Sequence, residues 1–540
     1  MQPTTLIILA PALTVLALFF LPANRPWLIR WFAVAGAFAT VVLSVTMWLN
    51  YDKAAGGWQF AEYVPWVEDL GIAWNVGADG ISIAMLLLTS FVIFAGALVS
   101  FRIQDRVKEF YILLLALVTG VFGVFANRDI FFFYFSYELA VIPMYLLIGV
   151  WGSTNKEYAT MKLTLYLTAG AVVALVGLLL MYFGARDFYL QNPSMLAGFL
   201  SEHPEFAGSK AWSFNLVQVI WAAQHGAFSE TFQFWVFPLI LVGFAAIAPM
   251  WPLHTWSPGG HAAAPSAASM LHAGVLMKLG SYGIIRIGLT CLPEGAVQIL
   301  PWVAALSMMN IIYGGMVAMA QRDLKFIIGY SSSSHMGYVL LGVASMNVIG
   351  LNGAVFLMFA HGIMTALAFS LIGWFYDQTH TRELQDLGGL IKQIPFVGTA
   401  FAIMAFASAG LPGFANFASE LMVLFGSWQA TLPVQVGAVT IPGNPWFYLY
   451  AILAVWGIVI TATYLLRAVR WAFFGPLNPA WAGRVKDADG FLWKLPFVFL
   501  IVALVAFGCY PKMLVDVIGT GVEPIVDALT KARATLLAGR

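Results

Sequence analysis

Charged side chains are scarce in this chain of 540 residues. Asp, Glu, Lys and Arg make up 9% of it, whereas about 25% is usual in soluble domains. The net charge is only +1, so no basic surface for nucleic acid is expected. The two cysteines, Cys291 and Cys509, are too far apart for a metal-binding spacing or a disulfide framework. The sequence also lacks a glycine-rich dinucleotide turn and a pair of haem ligands. We therefore expect no cofactor, no metal site and no redox centre in this chain.

Hydrophobic residues are abundant instead, at 61% of the chain. A membrane-spanning helix needs about 20 apolar residues, so the chain is long enough for many spans. Polar breaks separate fourteen apolar runs, at 5–22, 28–49, 79–101, 110–127, 130–150, 160–184, 234–257, 264–290, 298–320, 324–346, 350–376, 396–430, 446–473 and 491–511. The sequence thus predicts an all-α polytopic protein with about 14 helices in a lipid bilayer.

Two of these runs are interrupted. The seventh contains Pro249 and Pro252, and the twelfth contains "GLPGF" at 410–414. Proline removes a backbone donor, and broken backbone inside a membrane is tolerated only against protein or a wet cavity. Interrupted segments at matching places in two halves indicate a transporter built from repeats. Spans four to eight and nine to thirteen would form the two repeats.

These patterns divide the chain into four predicted regions. They are 1–105 with three transmembrane helices, 106–290 with the first repeat and an outer loop at 185–233, 298–475 with the second repeat, and 476–540 with the last transmembrane helix and a C-terminal tail. A short surface helix is expected at about 213–224. The tail is expected to lie along the membrane face or against a neighbouring subunit.

The basic residues predict the orientation. If the N-terminus lies outside, most of the 26 lysines and arginines fall on the inner side, which is the usual bias. The loop at 50–78 is acidic and rich in Trp and Tyr, as expected of an outer surface. Both termini are therefore predicted outside, with the chain in the cell (inner) membrane.

Three ionisable residues lie within apolar runs: Glu138 in the fifth, Lys278 in the eighth and Glu420 in the twelfth. A charge at the bilayer centre costs about 2.5–3.5 kcal/mol on insertion scales. One interpretation is a structural interhelix pair or a neutralised carboxyl. The other is a proton relay, because burial brings the pKa values of carboxylates and lysines toward neutrality.

Histidines extend this pattern. Five of the eight lie in or near the central spans, namely His254, His261, His272, His335 and His361. Imidazole titrates near pH 6.5, which suits a proton shuttle, and His335 and His361 are the strongest relay candidates. For each histidine a hydrogen-bonded structural role remains an alternative. A metal site is disfavoured because none of the five has a carboxylate or second histidine three or four residues further along.

Several long motifs carry a family resemblance. They are "GADGIS" (77–82), "ELAVIPMYLLIGVWG" (138–152), "PMWPLHTWSPGGHAAAPSAASMLHAGVLMKLGSYGIIR" (249–286), "RDLKFIIGYSSSSHMGY" (322–338) and "GLPGFANFASELMVLFG" (410–426). Over about residues 75–475 the chain resembles the antiporter-like membrane subunits of respiratory complex I, the proton-translocating NADH-quinone oxidoreductase. Glu420 stands where the chain 4 (subunit M) branch carries glutamate and its sister branches usually carry lysine.

The resemblance implies fourteen helices, two inverted five-helix repeats and broken seventh and twelfth helices. It implies relay roles for the same residues: Glu138 as the essential glutamate of the fifth helix, Lys278 as the central lysine of the eighth, His335 and His361 on the hydrophilic axis, and Glu420 as the terminal glutamate.

The chain departs from the family pattern at two places. Ile247 stands where the family usually has the lysine that pairs with the fifth-helix glutamate, and Gly259 replaces an aspartate. We hypothesise that nearby basic residues take over part of this duty. The candidates are His254, His261, His272, which stands where the family usually has an aliphatic residue, Lys162 as a displaced partner of Glu138, and Lys325.

The function implied is proton translocation by a membrane-arm subunit, driven by electron transfer from NADH to quinone in other subunits. FMN, iron–sulfur clusters and quinone would bind elsewhere in the complex, and the partners would be other membrane-arm subunits. Two alternatives stay open. One is a subunit of a multi-subunit sodium/proton antiporter or a membrane-bound hydrogenase, and the other is a passive membrane scaffold, which the buried charges disfavour.

Overall fold

The computed structural model describes residues 1–437 and 439–538. Gly539 and Arg540, the end of the predicted C-terminal region, lie outside the described residues. Helices account for most of the described chain, and two small antiparallel hairpins complete it.

The helices up to residue 263 are α1 (Pro3–Phe20), α2 (Pro26–Asn50), α3 (Gly80–Val99), α4 (Val107–Ala126), α5 (Ile130–Trp151), α6 (Lys156–Gln191), α7 (Pro193–Glu202), α8 (Leu216–Gln224), α9 (Glu230–Ile247) and α10 (Trp256–Ala263). Those that follow are α11 (Ser266–Leu271), α12 (Met277–Gly283), α13 (Pro293–Met308), α14 (Gly314–Ala320), α15 (Leu324–Ala344), α16 (Val348–Thr379), α17 (Pro395–Ser408), α18 (Ala415–Gln429), α19 (Trp446–Phe473), α20 (Phe491–Cys509) and α21 (Lys512–Ala538). The strands are β1 (Gln59–Val67), β2 (Ile72–Ala78), β3 (Val434–Val436) and β4 (Val439–Ile441).

Eleven helices of the described chain are long and apolar enough to cross a membrane, so this is a multi-pass membrane protein. Three of the fourteen predicted apolar runs do not form a single long apolar helix. The run at 264–290 changes pitch, because π-helical turns at His272–Leu276 and Ile284–Leu289 flank α12. The run at 324–346 becomes the 21-residue helix α15, which is less apolar because it carries four serines and His335. The run at 396–430 is split into α17 and α18.

Both predicted interruptions are confirmed. Helix α9 ends at Ile247, two residues before Pro249, and helical structure resumes fully only at Trp256. Helix α17 ends at Ser408, and the chain turns through Gly410 and Gly413, whose φ angles of +71° and +100° favour glycine.

Helices α3 and α16 form the centre of the molecule, and their side chains are buried almost throughout. Each begins with a side-chain cap. Asp79 accepts a hydrogen bond from the Ser82 N–H, and Asn347 accepts one from the Gly350 N–H. Such caps satisfy backbone donors that the helix leaves free. Helices α11, α15, α18, α20 and α21 pack against this pair.

Two peripheral elements take forms that the sequence pattern did not specify. The acidic loop at 50–78 contains the β1–β2 hairpin, which the sequence pattern did not predict. The C-terminal tail forms the amphipathic helix α21, which packs on α3, α13 and α16 of its own chain. The apolar face of α21 is buried by these contacts within its own chain, so no neighbouring subunit is needed to cover it. A helix forms near 213–224 as expected, namely α8, but it is packed against the rest of the chain rather than lying on the surface, with Leu216, Val219 and Trp221 buried.

Candidate functional site

Lys278 lies on α12, between the two π-helical turns, and is fully buried. π-turns widen a helix locally and are frequent at functional sites. The Lys278 Nζ donates to the Ala273 carbonyl at 2.5 Å and lies 2.8 Å from His361 Nδ1. A protonated ammonium has only donors, so a charged Lys278 requires His361 Nδ1 to accept. The proton on that imidazole then sits at Nε2.

His335 continues the line from His361. The two imidazole rings have centroids 5.1 Å apart. His335 Nδ1 lies 2.8 Å from the Ser331 carbonyl, an acceptor, so this nitrogen carries a proton. On the other side, His335 Nε2 lies 3.3 Å from Glu420 Oε1 and 3.3 Å from the Ser408 carbonyl.

Glu420 ends this line on α18, just after the break in the twelfth run. Its carboxylate is 2% exposed, and its Oε1 has no hydrogen-bond partner among the described residues. We call Lys278, His361, His335 and Glu420 the relay line. It draws one ionisable residue from each of α12, α16, α15 and α18, and the structure thus brings together four of the five predicted relay residues.

Two further histidines, His261 and His272, precede Lys278 in the sequence. We call these two residues the histidine pair. Their ring centroids are 4.1 Å apart. His261 Nε2 contacts the Ser257 hydroxyl at 3.0 Å and Met277 Sδ at 3.2 Å. His272 has no hydrogen-bond partner on either ring nitrogen among the described residues. His254 lies apart from this pair, against the ring of Tyr313 at 5.7 Å.

A cleft of about 810 Å³ opens at the end of the molecule that the charge pattern assigns to the inner side. Its charged and titratable lining comes from four loops and helix ends and comprises Lys162, Arg322, Asp323, His380, Arg382 and Glu383. Burial, and then the carboxylates of Asp323 and Asp386, raise the pKa of Glu383. Trp256 and Gly259 of α10 form part of the lining.

Lys325 lies close to this inner end, and is buried. Its Nζ donates to the Ala264 carbonyl at 2.6 Å. Two ion pairs lie nearby, Arg382–Asp323 at 3.0 Å and Arg102–Asp377 at 3.3 Å. Lys325 shares a smaller cavity of about 130 Å³ with Arg102 and Asp377. It therefore belongs to the inner ionic cluster and makes no direct contact with the relay line.

Glu138 is the predicted relay residue that the structure leaves separate. It lies half-buried on α5 and makes no ion pair within residues 1–437 and 439–538. Lys162, suggested as its displaced partner, instead lines the inner cleft with its ammonium over the ring of Tyr158. Ile247, at the position of the family's lysine, is fully buried.

Sequence reasoning missed a buried ion pair at the outer end. Arg286, which falls on the outer side in the predicted orientation, is 4% exposed and donates to Asp79 Oδ1 at 2.5 Å. Its Nε also donates to the Tyr282 hydroxyl at 3.3 Å. The signal was present in "GADGIS", because an aspartate before an apolar run is a helix-cap residue that can also bind a cation.

Buried polar atoms without partners are concentrated along the site. Among the described residues they include His261 Nδ1, both ring nitrogens of His272, Ser281 Oγ, Ser333 Oγ, His361 Nε2, Ser408 Oγ, both side-chain polar atoms of Asn416 and Glu420 Oε1. A smaller set, Asn75, Asn127, Arg128 and Asn215, lies at the outer end. The described residues contain no group of three His, Cys, Asp or Glu side chains that could hold a metal ion.

These features define a multi-pass membrane protein with a buried line of ionisable side chains. The family model described as "NADH:quinone oxidoreductase/Mrp antiporter, TM" matches residues 127–443, and the chain belongs to this family.

Two curated relatives are each named NAD(P)H-quinone oxidoreductase chain 4. The one from Synechococcus sp. is 34% identical over 94% of this chain and 86% of the relative, and the one from Acaryochloris marina is 35% identical over 95% and 90%.

Solved structures show the same fold. A chain of respiratory complex I from Thermus thermophilus with bound NADH matches with a TM-score of 0.81, at 28% identity over 97% of this chain and 99% of that one. A chain of the Mrp complex from Dietzia sp. matches at 0.78, with 21% identity over 99% and 100%. At this low identity, the match to the Mrp complex shows only that the two folds are alike.

Proposed function

We infer that this chain is a proton-translocating membrane-arm subunit of an NADH-quinone oxidoreductase of the complex I type. The family membership, the chain 4 relatives and the complex I likeness all support this function. The relay line is the observation that carries it, because four buried titratable groups follow one another. The Lys278–His361 and His335–Glu420 atom pairs are 2.8 and 3.3 Å apart, and the rings of His361 and His335 have centroids 5.1 Å apart.

Hydration of the relay line follows from its unpartnered atoms. A buried polar atom without a hydrogen bond costs about 1–3 kcal/mol, and buried water commonly satisfies such atoms. His361 Nε2 and Glu420 Oε1 lie on either side of His335. Water bound at these two atoms would complete a hydrogen-bonded path along which a proton moves.

The direction of transfer follows from the predicted orientation. Protons would be taken up from the inner cleft, reach Lys278 and pass through His361 and His335 to Glu420 before leaving on the outer side. The proton on Lys278 moves when the pairing of Lys278 with His361 changes. The relay line therefore has two states, with the proton on the lysine nitrogen in one and on the imidazole in the other. Electron transfer in other subunits, which would carry the FMN, iron–sulfur clusters and quinone, would drive this change.

The fold is proposed to contain fourteen spans, with two inverted five-helix repeats at residues 106–290 and 298–475 and both termini outside. The breaks after Ile247 and Ser408 stand at corresponding places in the two repeats, which supports this arrangement. In each repeat a broken helix also packs against a long one, α9 against α6 and α18 against α16.

Glu138 is proposed to act at the side of the chain that faces a neighbouring subunit. Its half-burial and the exposed Phe135 and Ile142 on the same helix support this position. A carboxylate within the membrane is usually paired, so the missing cation would come from that neighbour.

The experiment compares Lys278→Met with Lys392→Met in the assembled complex reconstituted into vesicles. Lys392 is an exposed loop lysine and serves as the matched control. We expect Lys278→Met to lower the number of protons moved per electron transferred, with Lys392→Met unchanged. Normal pumping by a fully assembled Lys278→Met complex would contradict the proposal and favour a passive scaffold.

A further inference from the structure

The surroundings of His272 are unusual for a structural histidine. It is fully buried, and neither ring nitrogen has a hydrogen-bond partner among the described residues. A histidine kept for stability would be expected to have at least one partner, since buried polar groups are nearly always hydrogen-bonded. The ring instead lies between two aromatic rings, with centroids 5.2 Å from Trp256 and 4.1 Å from His261.

Only a thin layer separates His272 from the inner cleft. Trp256, which stacks on the imidazole, also lines the cleft, as do Gly259 and Ala262. The backbone of Gly260 lies so close to the imidazole that a Cβ at this position would come within 2.8 Å of His272 Cε1. At Gly259 a Cβ would meet nothing within 4 Å. Because Gly259 and Gly260 have no side chains, the layer between the cleft and the His272 imidazole is thinner at this place.

On its other side His272 faces the ionisable groups of the site. His261 of α10 is its direct neighbour, and Lys278 lies further along the same helical run, after the π-turn that begins at His272. No carboxylate forms an ion pair with either histidine within the described chain. Water, His261 and Lys278 are thus the available partners for a proton on this ring.

We propose that His272 takes up protons from water in the inner cleft and passes them to His261, on the way to Lys278. The inference rests on the proposed proton-translocating function and assigns its uptake step. One ring nitrogen binds a proton delivered by cleft water, and the other releases its proton to His261 Nδ1. In the first transfer an O–H bond of a hydronium ion in the cleft breaks as an N–H bond forms on His272, and in the second the opposite N–H bond of His272 breaks as one forms on His261. His272 is then neutral in its other tautomer, and a shift back to the first tautomer resets it.

The first test measures water access directly. Cysteine is placed at position 272 or at Leu271, in the assembled complex whose native Cys291 and Cys509 have been changed to alanine. Leu271 is equally buried and does not line the cleft. A charged, membrane-impermeant methanethiosulfonate reagent should label the His272→Cys complex at least about tenfold faster than the Leu271→Cys complex. Equal rates would show that the cleft does not reach His272 and would overturn the proposal.

The second test measures pumping, again as protons moved per electron. His272→Leu should lower the ratio, and His272→Gln, which keeps polarity but has no imidazole, should lower it similarly. Normal pumping in both variants would remove His272 from the path. If Lys278→Met still lowers the ratio in that case, the proposed function stands and the uptake step alone fails. If Lys278→Met is also without effect, the function itself fails.

Discussion

Two buried ion pairs lie in different regions of this molecule, and their geometries differ. Asp79 and Arg286 are 2.5 Å apart, and each has further partners, since Asp79 caps α3 and Arg286 binds Tyr282. His335 and Glu420 are 3.3 Å apart, and Glu420 Oε1 has no hydrogen-bond partner within the described residues. Neither residue of the first pair has a buried polar atom without a hydrogen-bond partner within the described residues, whereas the second pair has an unpartnered acceptor.

We interpret this difference as one between a structural pair and a pair that exchanges protons. Arg286 cannot release a proton near neutral pH, and its pair with Asp79 holds α12 and its following π-turn to the start of α3. Imidazole and carboxylate can both exchange protons, and the looser His335–Glu420 pair leaves room for rearrangement. Buried charge in a membrane protein therefore indicates function when the groups can titrate and their hydrogen bonds are incomplete.

The largest expected effect is on stability, at the outer pair. Arg286→Met leaves Asp79 buried without its cation, which should lower the free energy of unfolding by about 3–5 kcal/mol. Thermal unfolding of the detergent-solubilised complex measures this. The double change Asp79→Asn with Arg286→Met should recover part of the loss, because it removes the uncompensated charge.

The complexes that do fold should pump normally, because this pair lies outside the relay line. A pumping defect in folded Arg286→Met complexes, with unchanged thermal stability, would reverse the roles assigned to the two pairs.

The next effect is on proton transfer, at the His335–Glu420 pair. Glu420→Gln keeps the size and hydrogen-bonding capacity of the side chain but removes its proton exchange. Loss of a positioned proton-transfer group should slow transfer through this chain by about 10²-fold or more. Stopped-flow acidification of vesicles measures the rate.

Thermal stability should change far less in Glu420→Gln than in Arg286→Met. A Glu420→Gln complex that unfolds much earlier yet pumps at the normal rate would show that Glu420 is a structural residue.

A third effect is on the pH dependence of stability and concerns Asp129, a carboxylate that caps α5 and makes no ion pair within the described residues. Burial raises the pKa of Asp129 from 3.8 to about 7. Between these values the folded chain holds more protons than the unfolded chain, so this residue makes stability fall as pH rises from about 4 to 7. Asp129→Asn keeps the cap, since Asn is an equally good N-cap residue.

The variant should therefore show a flatter dependence of thermal unfolding on pH in this window. The same slope in both proteins would mean that the Asp129 carboxyl does not titrate there.

The sequence predicted the relay line better than the details of the fold. Lys278, His335, His361 and Glu420 stood out because each is ionisable within an apolar run, and the structure places them in succession. Their pairing could not be predicted, because it depends on the π-turn before Lys278, which a single glycine, Gly274, in an otherwise ordinary apolar run does not predict.

Other features were hidden for related physical reasons. Arg286 lies near the end of an apolar run, where an exposed flanking position is the usual expectation, and only the fold brings Asp79 to it. Glu138 was expected on the same axis, but its separation from Lys278 depends on helix packing. The burial of α21 depends likewise on tertiary contacts with α3, α13 and α16.

The most direct test of a hydrated relay is a density map of the assembled complex at a resolution that places ordered water. We predict waters within about 3.2 Å of His361 Nε2 and of Glu420 Oε1, joined to His335 by hydrogen bonds. Dry apolar contacts around both atoms, with no polar continuity between Lys278 and Glu420, would contradict the role assigned to this line.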